Sequence, residues 1–458
     1  MNLIQPRTLK GFRDYLPEAM IPRERLIAIA QQVYRSYGYS PIDTPALEYF
    51  EILAGKGSEE TDRQMYQFED HGGRRVGLRF DLTVPLARFA AQHVTELGLP
   101  FKRYHIGTVW RGENTQRGRY REFMQCDFDT IGTRSVAADI ETALVIHDLI
   151  LAIGRSFGRD LPFTIRLNNR AVLNGLLARL DLAPKAAPIL RALDKLAKIG
   201  PEKVADELTA HVGLAPAQTE QVLRLVQIQG TNDQILLQLE SLAAGDPDTL
   251  EGVQRLRQIL RGAQAGGVPA DVVQLDVAIA RGLDYYTGAI YETFLRDLPG
   301  IGSVCSGGRY DNLAGVFTKQ ELPGIGASLG LDRLLAALEE LGLIAKVRTP
   351  APVLVAYFDP ARLEDYLHLA AVVRRAGIGV ELYPEPKKLG HQLAYADRRG
   401  FRVCLIAGER ELSASQCQVK NLANGTSVTV PLQPPETLVA AVREFLAAPN
   451  NPAAAPPG

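Results

Sequence analysis

The stretch that most constrains the fold runs from Lys102 to Gly132, where two runs of alternating side chains flank a polar tip of Gly, Asn, Gln and Arg. This pattern predicts a long β-hairpin with polar faces. Between Lys102 and Arg121 the chain carries six Lys or Arg and a single acid, Glu113. A charged hairpin is in many proteins simply a solvated surface element. The side chains of the second arm distinguish that interpretation from a binding role.

The second arm of the hairpin has one face that is unlike a protein core. Side chains two positions apart along a strand project to the same side of the sheet. Tyr120, Glu122, Met124, Cys126 and Phe128 share one side. The other side carries two cations, one aromatic ring, an amide and two carboxylates, namely Arg119, Arg121, Phe123, Gln125, Asp127 and Asp129. These groups suit a planar, phosphorylated ligand that carries an amine or an imidazole.

The charge balance excludes one class of nucleic-acid-binding protein. The chain has 458 residues, with 51 Lys plus Arg and 52 Asp plus Glu, and its formal net charge is −1. It therefore does not belong to the strongly basic binders, although local patches such as the hairpin could still contact nucleic acid. The length allows two or three domains with their own cores.

The cysteines and the hydropathy pattern indicate the compartment. Cys126, Cys305, Cys404 and Cys417 have spacings that fit neither a zinc site nor a disulfide framework. The N-terminal residues lack an apolar signal core, and no apolar run approaches the length of a membrane span. We therefore expect a soluble, cytoplasmic protein with reduced thiols and no membrane segment.

Composition changes along the chain predict its division into domains. Residues 171–268 show the helical periodicity of an all-helical insertion, and strand-rich, Gly-rich patterns precede and follow it. A linker at 342–351 leads to alternating strands and helices, which predict a small α/β domain with a partly parallel sheet. The expected parts are a first domain split between 1–170 and 269–341, the insertion at 171–268, the α/β domain at 352–447, and a disordered tail at 448–458.

Three local patterns near the N-terminus allow specific predictions. A helix is expected with Pro22 in its first turn and Gly38 as its stop. Residues 39–48 should form a short strand, which Pro41 and Pro45 confine to a sheet edge and which could serve as a dimer element. In residues 76–92 a strand turns into a helix near Asp81 or Thr83, whose side chains are either helix caps or ligand-binding groups.

Phosphate binding, if present, must depend on arginines. The sequence contains no Walker-type loop, Ser/His/Asp triad or histidine spacing typical of a metal site. The Gly-rich segments GSVCSGGRY and GIGASLGLDR do not fit a dinucleotide fingerprint, and glycine segments of this kind are turns more often than ligand cradles. Arg281 lies beside Asp284, Tyr285 and Tyr286, and Arg333 begins a helix. Each arginine is either a surface residue or part of a concave polar site.

Five motifs in order resemble one family. YRSYGYSPIDTP resembles motif 1 of the class II aminoacyl-tRNA synthetases, the hairpin resembles motif 2, and GIGASLGLDRLLAAL resembles motif 3. ARGLDYYTGAIYE and SGGRYDNL resemble the two motifs specific to histidyl-tRNA synthetases. The similarity extends over nearly the whole chain. It implies an α/β (α+β) fold, in which an antiparallel-sheet catalytic domain carries a helical insertion and is followed by an α/β anticodon-binding domain.

The resemblance also implies roles for individual residues. It implies that Arg111 and Arg281 are catalytic and that the tip residues Gln116 and Arg117 contact tRNA. Asp81 is one methylene shorter than the glutamate of other family members. The implied ATP-binding residues are Arg111, Glu113, Phe123 and Arg333. The implied histidine-binding residues are Asp81, Thr83, Gln125, Asp129, Arg281, Tyr285 and Tyr286.

The implied activity is the ATP-dependent attachment of L-histidine to tRNA(His) by a homodimer, with Mg²⁺ bound together with ATP rather than at a protein-only metal site. The main alternative is a non-catalytic, synthetase-like regulatory subunit of ATP phosphoribosyltransferase in histidine biosynthesis. That protein usually lacks both the arginine of ARGLDYY and the anticodon-binding domain. Here Arg281 is present and residues 352–432 supply an additional domain, so the sequence favours the synthetase.

Overall fold

The structure is a computed structural model, and it describes residues 3–54, 63–115, 117–279, 285–344 and 347–447. Contacts within the chain define two compact units. The first comprises the described residues of Met1–Arg13 and Arg25–Leu343, and the second comprises those of Asp14–Glu24 and Ile344–Gly458.

The first unit is built around a large sheet. Its described strands are β1 (Ser40–Pro41), β2 (Leu47–Tyr49), β3 (Gln67–Glu69), β4 (Arg75–Leu78), β5 (Phe101–Trp110), β6 (Glu122–Ile131), β7 (Phe163–Asn169), β8 (Val273–Leu275), β9 (Ala289–Leu295), β10 (Cys305–Tyr310) and β11 (Gly324–Gly330). Eight of them form one sheet in the order β1-β5-β6-β11-β10-β9-β7-β8, and a small sheet has the order β2-β4-β3. The pairs β1 with β5 and β7 with β8 are parallel, and the other pairs of the large sheet are antiparallel.

The structure also describes a set of α-helices before residue 344. They are α1 (Pro17–Ser36), α2 (Phe50–Ala54), α3 (Thr83–Gln92), α4 (Val94–Leu97), α5 (Val136–Ser156), α6 (Arg170–Ala178), α7 (Ala186–Leu193), α8 (Leu196–Ala210), α9 (Pro216–Val226), α10 (Asn232–Ala243), α11 (Pro247–Ala265) and α12 (Leu331–Glu340). The helical periodicity of residues 171–268 corresponds to α6–α11. Helix α10 begins with a capping box, in which Thr231 and Gln234 each accept the other's backbone N–H.

The predicted hairpin is confirmed. Strands β5 and β6 pair without interruption from Phe101 opposite Ile131 to Trp110 opposite Glu122. One face of β6 is packed in the core, where the ring of Phe128 lies 5.1 Å from that of Tyr34 between centroids. The opposite face is open to a cavity, described below. This difference between the faces follows from the alternation of side chains along the strand.

Two N-terminal predictions require correction. The first helix begins at Pro17, and Pro22 lies inside it rather than in its first turn. The Leu16 carbonyl accepts the N–H groups of Ala19 and Met20, and this extra turn forms ahead of Pro22. The single strand expected at 39–48 is instead divided into β1 and β2, because proline lacks the N–H that a continuous ladder requires. Its predicted position at a sheet edge is confirmed, since β1 is the outermost strand.

The second unit contains the partly parallel sheet that the sequence predicts. Its strands β12 (Val353–Val355), β13 (Val380–Leu382), β14 (Val403–Ile406), β15 (Gln416–Asn421) and β16 (Ser427–Pro431) have the order β13-β12-β14-β15-β16. Strand β12 is parallel to both of its neighbours, and the remaining pairs are antiparallel. Helices α13 (Leu363–Arg375), α14 (Leu389–Arg399), α15 (Glu409–Ser413) and α16 (Pro435–Ala447) complete the unit.

All four cysteines are buried and have free thiols. In the described part of the chain, no helix has both the length and the apolar character needed to cross a lipid bilayer.

A buried charge cluster joins the sheet to two helices of the first unit. Arg309, on β10, donates from Nε to Asp139 Oδ1 at 3.0 Å and from Nη2 to Oδ2 at 2.8 Å. Asp139 lies on α5, and its Oδ2 also accepts from Nη2 of Arg255, on α11, at 2.5 Å. Asp139 is fully buried, so these two arginines balance a charge that water does not reach.

We expect Asp139→Ala to lower the free energy of unfolding by about 3–5 kcal/mol, because it removes the fully buried carboxylate that two N–H groups of Arg309 contact and leaves that guanidinium only Asp311, 3.1 Å from its Nη1. Urea unfolding followed by circular dichroism measures the change. Asp297→Ala is the matched control, since Asp297 pairs with Arg159 at 2.7 Å on the surface and such pairs contribute little. Equal losses in the two variants would contradict this account.

Candidate active site

A cavity of about 330 Å³ opens over the large sheet of the first unit. Side chains from the hairpin, from strands β9–β11 and from the first turns of α3 and α12 line it. Ten of the thirteen residues to which the family resemblance assigns a role lie on its wall: Asp81, Thr83, Arg111, Glu113, Phe123, Gln125, Asp129, Tyr285, Tyr286 and Arg333. Two others, Gln116 and Arg281, lie outside the described residues.

The exposed face of β6 forms one wall of the cavity. Phe123, Gln125, Asp127 and Asp129 all line it, as the alternation along the strand predicts. The prediction that Arg121 lies on this face is wrong. Arg121 precedes β6, which begins at Glu122, and its side chain does not line the cavity. Its Nε donates instead to the Glu113 carbonyl at 3.2 Å. Arg119 lines the cavity as expected, but Tyr120, which was expected on the other side, lines it as well, so strand alternation does not extend into the tip of the hairpin.

The two Gly-rich segments contain strands β10 and β11, in agreement with the strand-rich pattern predicted after the insertion, and their glycines give the cavity its depth. An added Cβ at Gly326 would lie 2.2 Å from Asp129 Oδ1. An added Cβ at Gly324 would lie 2.2 Å from the ring of Tyr310. Both distances are far shorter than van der Waals contact, so glycine at these positions makes room for the aspartate and the tyrosine.

Asp81 serves both as a helix cap and as part of the cavity wall. Its Oδ1 accepts the backbone N–H of Thr83 at 3.1 Å and that of Val84 at 2.9 Å, which caps α3. Its Oδ2 accepts from the hydroxyl of Tyr285 at 3.1 Å. The helix-cap and ligand-binding interpretations are thus compatible, because one carboxylate oxygen caps the helix and the other bonds to a tyrosine of the cavity wall.

Asp129 is held at the base of the cavity by two partners. The Tyr310 hydroxyl donates to its Oδ1 at 2.6 Å, and Nη2 of Arg103 lies 2.7 Å from its Oδ2. Burial raises the pKa of Asp129, and the charge of Arg103 opposes that shift. Burial, followed by the charge of Asp129, raises the pKa of Tyr286, so its phenol keeps its proton and can donate a hydrogen bond.

Two arginines extend the cavity toward the hairpin tip. The guanidinium of Arg111 lies over the rings of Phe80 and Phe123, at 4.4 Å and 5.1 Å from their centroids, and its Nε donates to the Phe80 carbonyl at 3.0 Å. Arg333 donates from Nη1 to the Ser303 carbonyl. The surface alternative for Arg333 is therefore wrong, because the side chain turns into the cavity.

Arg117, by contrast, does not line the cavity. Its Nη1 lies 2.8 Å from Glu340 Oε2, and its side chain is 63% exposed. This position leaves it available to a macromolecule that approaches the hairpin tip.

Several residues near the site were not singled out from the sequence as functional, among them Arg103, Tyr310, Asp194 and Glu292. Arg103 and Tyr310 both contact Asp129, and the hairpin register that places Arg103 opposite Asp129 could have revealed the first of them. Asp194 follows helix α7 and reaches the cavity from the helical region, which no local pattern indicates. Among the described residues, no group of three or more His, Cys, Asp or Glu side chains could hold a metal ion.

An antiparallel sheet that presents arginines, an aromatic ring and buried carboxylates in one cavity, together with the motifs quoted above, defines a class II aminoacyl-tRNA synthetase. Comparison with known proteins identifies the member of the class. Residues 11–334 match the family model described as histidyl-tRNA synthetase, and residues 353–442 match the anticodon binding domain. The chain belongs to the histidyl-tRNA synthetase family, whose members are ATP-dependent ligases.

Individual relatives agree with this assignment. The chain is 60% identical to the histidine–tRNA ligase of Rhodopirellula baltica, over 96% of this chain and 99% of that protein. It is 43% identical to the histidine–tRNA ligase of Helicobacter hepaticus, over 93% and 97%. The crystal structure of histidyl-tRNA synthetase from Nostoc sp. PCC 7120 superposes with a TM-score of 0.84 at 35% identity, covering 96% of this chain and 100% of that one.

Proposed function

We propose that this protein attaches L-histidine to the 3′-terminal adenosine of tRNA(His) in two steps, through a histidyl-adenylate. The observation that carries the proposal is that one cavity has a carboxylate at its floor, which suits an imidazole, and a wall of arginines and an aromatic ring, which suits ATP. In the proposed arrangement, residues 1–170 and 269–341 form the catalytic domain, residues 171–268 the insertion, and residues 352–447 the anticodon-binding domain.

Histidine would bind at the deep end of the cavity. Asp129 and Tyr286 would hydrogen-bond the two imidazole nitrogens, one as acceptor and one as donor. A side chain without both nitrogen positions would leave buried groups unpaired, which disfavours its binding. Asp81, Thr83 and Gln125 would contact the α-amino and carboxylate groups. Two more residues complete the proposed histidine site, Tyr285 and Arg281.

ATP would bind toward the hairpin tip. Phe123 would stack on the adenine, Arg333 would cover the opposite face of the base, and Glu113 would lie near the adenine amino group. Arg111 would hold the α-phosphate and the substrate carboxylate. Mg²⁺ is usually bound through one or two carboxylates together with substrate phosphates. Glu292 on the cavity wall is a suitable carboxylate, and bound Mg²⁺ would neutralise phosphate charge.

The first reaction needs little acid–base chemistry, because the substrate carboxylate is already a nucleophile. It would attack the α-phosphorus in line and displace pyrophosphate, while Arg111 and Arg281 stabilise charge on the non-bridging oxygens. The ribose 3′ hydroxyl of tRNA would then attack the adenylate carbonyl and release AMP. The role of Arg281 is proposed from the family motif alone.

The tRNA would contact the hairpin tip through Gln116 and Arg117 and the second unit through residues 352–447. Phosphate contacts release counterions, so the affinity for tRNA should fall steeply with salt. We further propose a homodimer, with the motif 1 strand at its interface, that works in the cytoplasm.

The test is histidine-dependent ATP–pyrophosphate exchange, followed by charging of tRNA(His). We expect exchange with histidine and not with the other amino acids. Exchange with a different amino acid alone would overturn the substrate assignment. Histidine binding without exchange would instead favour the regulatory-subunit alternative. A Bacillus halodurans structure described both as an ATP phosphoribosyltransferase regulatory subunit and as a histidyl-tRNA synthetase has a TM-score of 0.71 at 21% identity, which shows the shared fold alone.

A further inference from the structure

Arg103 is a fully buried arginine that contacts the base of the proposed histidine site. It lies on β5 directly opposite Asp129 in the hairpin register, and it has no exposed surface. Its Nη2 lies 2.7 Å from Asp129 Oδ2 and donates to the Leu82 carbonyl at 3.2 Å. Since Leu82 directly precedes helix α3, the guanidinium bridges the hairpin and the helix that Asp81 caps.

A second carboxylate lies near the same cation. Asp127 lies two residues before Asp129 on the same face of β6, is 2% exposed, and has its Oδ2 4.0 Å from Nη2 of Arg103. Burial raises the pKa of Asp127 to about 7, and the charge of Arg103 opposes this shift. One guanidinium therefore stands between two buried carboxylates that would otherwise repel each other.

The neutral partner across the hairpin adds no charge to this group. His105, opposite Asp127 in the register, is buried, and burial together with Arg103 and Arg79 lowers its pKa to about 3. Its imidazole is thus uncharged at neutral pH. Arg79 also acts on Asp127, and the charge of Asp81 raises the pKa of both carboxylates, but Arg103 is the cation in contact with Asp129.

We propose that Arg103 is a positioning residue for histidine selection, which keeps Asp129 oriented and charged. Asp127 competes with Asp129 for the positive charge of Arg103. This inference rests on the proposed function, in which Asp129 binds the imidazole. Without Arg103, two buried carboxylates face each other, and the cheapest response is for the pair to take up a proton, which Asp129 then shares with Asp127 because it has lost its closest counterion. A protonated Asp129 is a much poorer acceptor for an imidazole N–H.

If Arg103 has this role, its loss should affect the KM for histidine much more than the KM for ATP. We expect Arg103→Met to raise the KM for histidine about 30-fold or more in pyrophosphate exchange, with the KM for ATP changed by less than about threefold. Arg103→Met/Asp127→Asn removes one carboxylate along with the cation and restores the net charge of the group. We expect it to bring the KM for histidine back to within about tenfold of wild type.

Lys102→Met is the matched control. Lys102 is the neighbouring cation on β5, and its Nζ pairs with Glu141 at 2.6 Å away from the cavity. Its loss should leave both KM values unchanged. If Arg103→Met does not fold, the double variant carries the test alone, because its buried group keeps the net charge of the wild type.

The outcomes are distinguishable from a failure of the proposed function. Absence of histidine-dependent exchange in the wild-type protein would overturn the proposed function itself. Normal wild-type exchange with an unchanged histidine KM in Arg103→Met would overturn only the positioning role. Parallel rises in both KM values, or no recovery in the double variant, would show that Arg103 is a general structural residue and would also overturn it.

Discussion

Replacing Arg111 by alanine is expected to lower the rate of histidine-dependent ATP–pyrophosphate exchange by about 1,000-fold or more. The guanidinium is fixed between the rings of Phe80 and Phe123, and its Nε is occupied by the Phe80 carbonyl. Its Nη groups are thereby directed to a defined place in the cavity. Charge that develops on the α-phosphate during displacement of pyrophosphate needs such a preorganised donor, and alanine leaves none at this position.

The measurement is kcat for exchange at saturating ATP and histidine, with circular dichroism to verify folding. Arg159→Ala is the matched control, because Arg159 is a surface arginine that pairs with Asp297, and it should exchange at the wild-type rate. Arg111→Lys should recover only a small part of the activity, since a lysine cannot reproduce the stacking or the forked donors. Exchange by Arg111→Ala within about tenfold of wild type would exclude a role in transition-state stabilisation.

The sequence predicts most of the cavity wall that β6 forms, because a strand has only two faces. Once residues 102–132 are recognised as a hairpin, the shared side of Phe123, Gln125 and Asp129 follows from their spacing. The same logic is wrong for Arg121, which lies just outside β6. Periodicity is therefore informative within the ladder and uninformative at the tip, where backbone hydrogen bonds no longer fix the side-chain direction.

The depth of the cavity could not be predicted in the same way. Gly324 and Gly326 lie in a segment that the sequence predicts to be rich in strand and glycine, but their spacing does not show that their missing side chains leave space for Tyr310 and Asp129. That space is a property of three neighbouring strands that are far apart in the chain. Asp194 presents the same difficulty, because only the packing of the helical region brings it to the cavity.

Asp129→Asn is expected to lower kcat/KM for histidine about 1,000-fold or more, while the KM for ATP stays near the wild-type value. The substitution keeps the shape of the side chain and an oxygen for the Tyr310 hydroxyl, which lies 2.6 Å from Oδ1. It removes the negative charge beside the fully buried Arg103. The imidazole then meets a weaker acceptor, and a buried cation loses its closest counterion.

Pyrophosphate exchange with varied histidine, repeated with varied ATP, separates these effects. Asp297→Asn provides a control for loss of a carboxylate, because Asp297 pairs with Arg159 on the surface. A selective loss for histidine requires that Asp129 contact the amino acid and that the ATP end of the cavity remain intact. A proportional rise in both KM values would instead mean that the substitution disturbs the sheet, since β6 carries Phe123 as well as Asp129. Only the selective result is compatible with Asp129 as the imidazole acceptor.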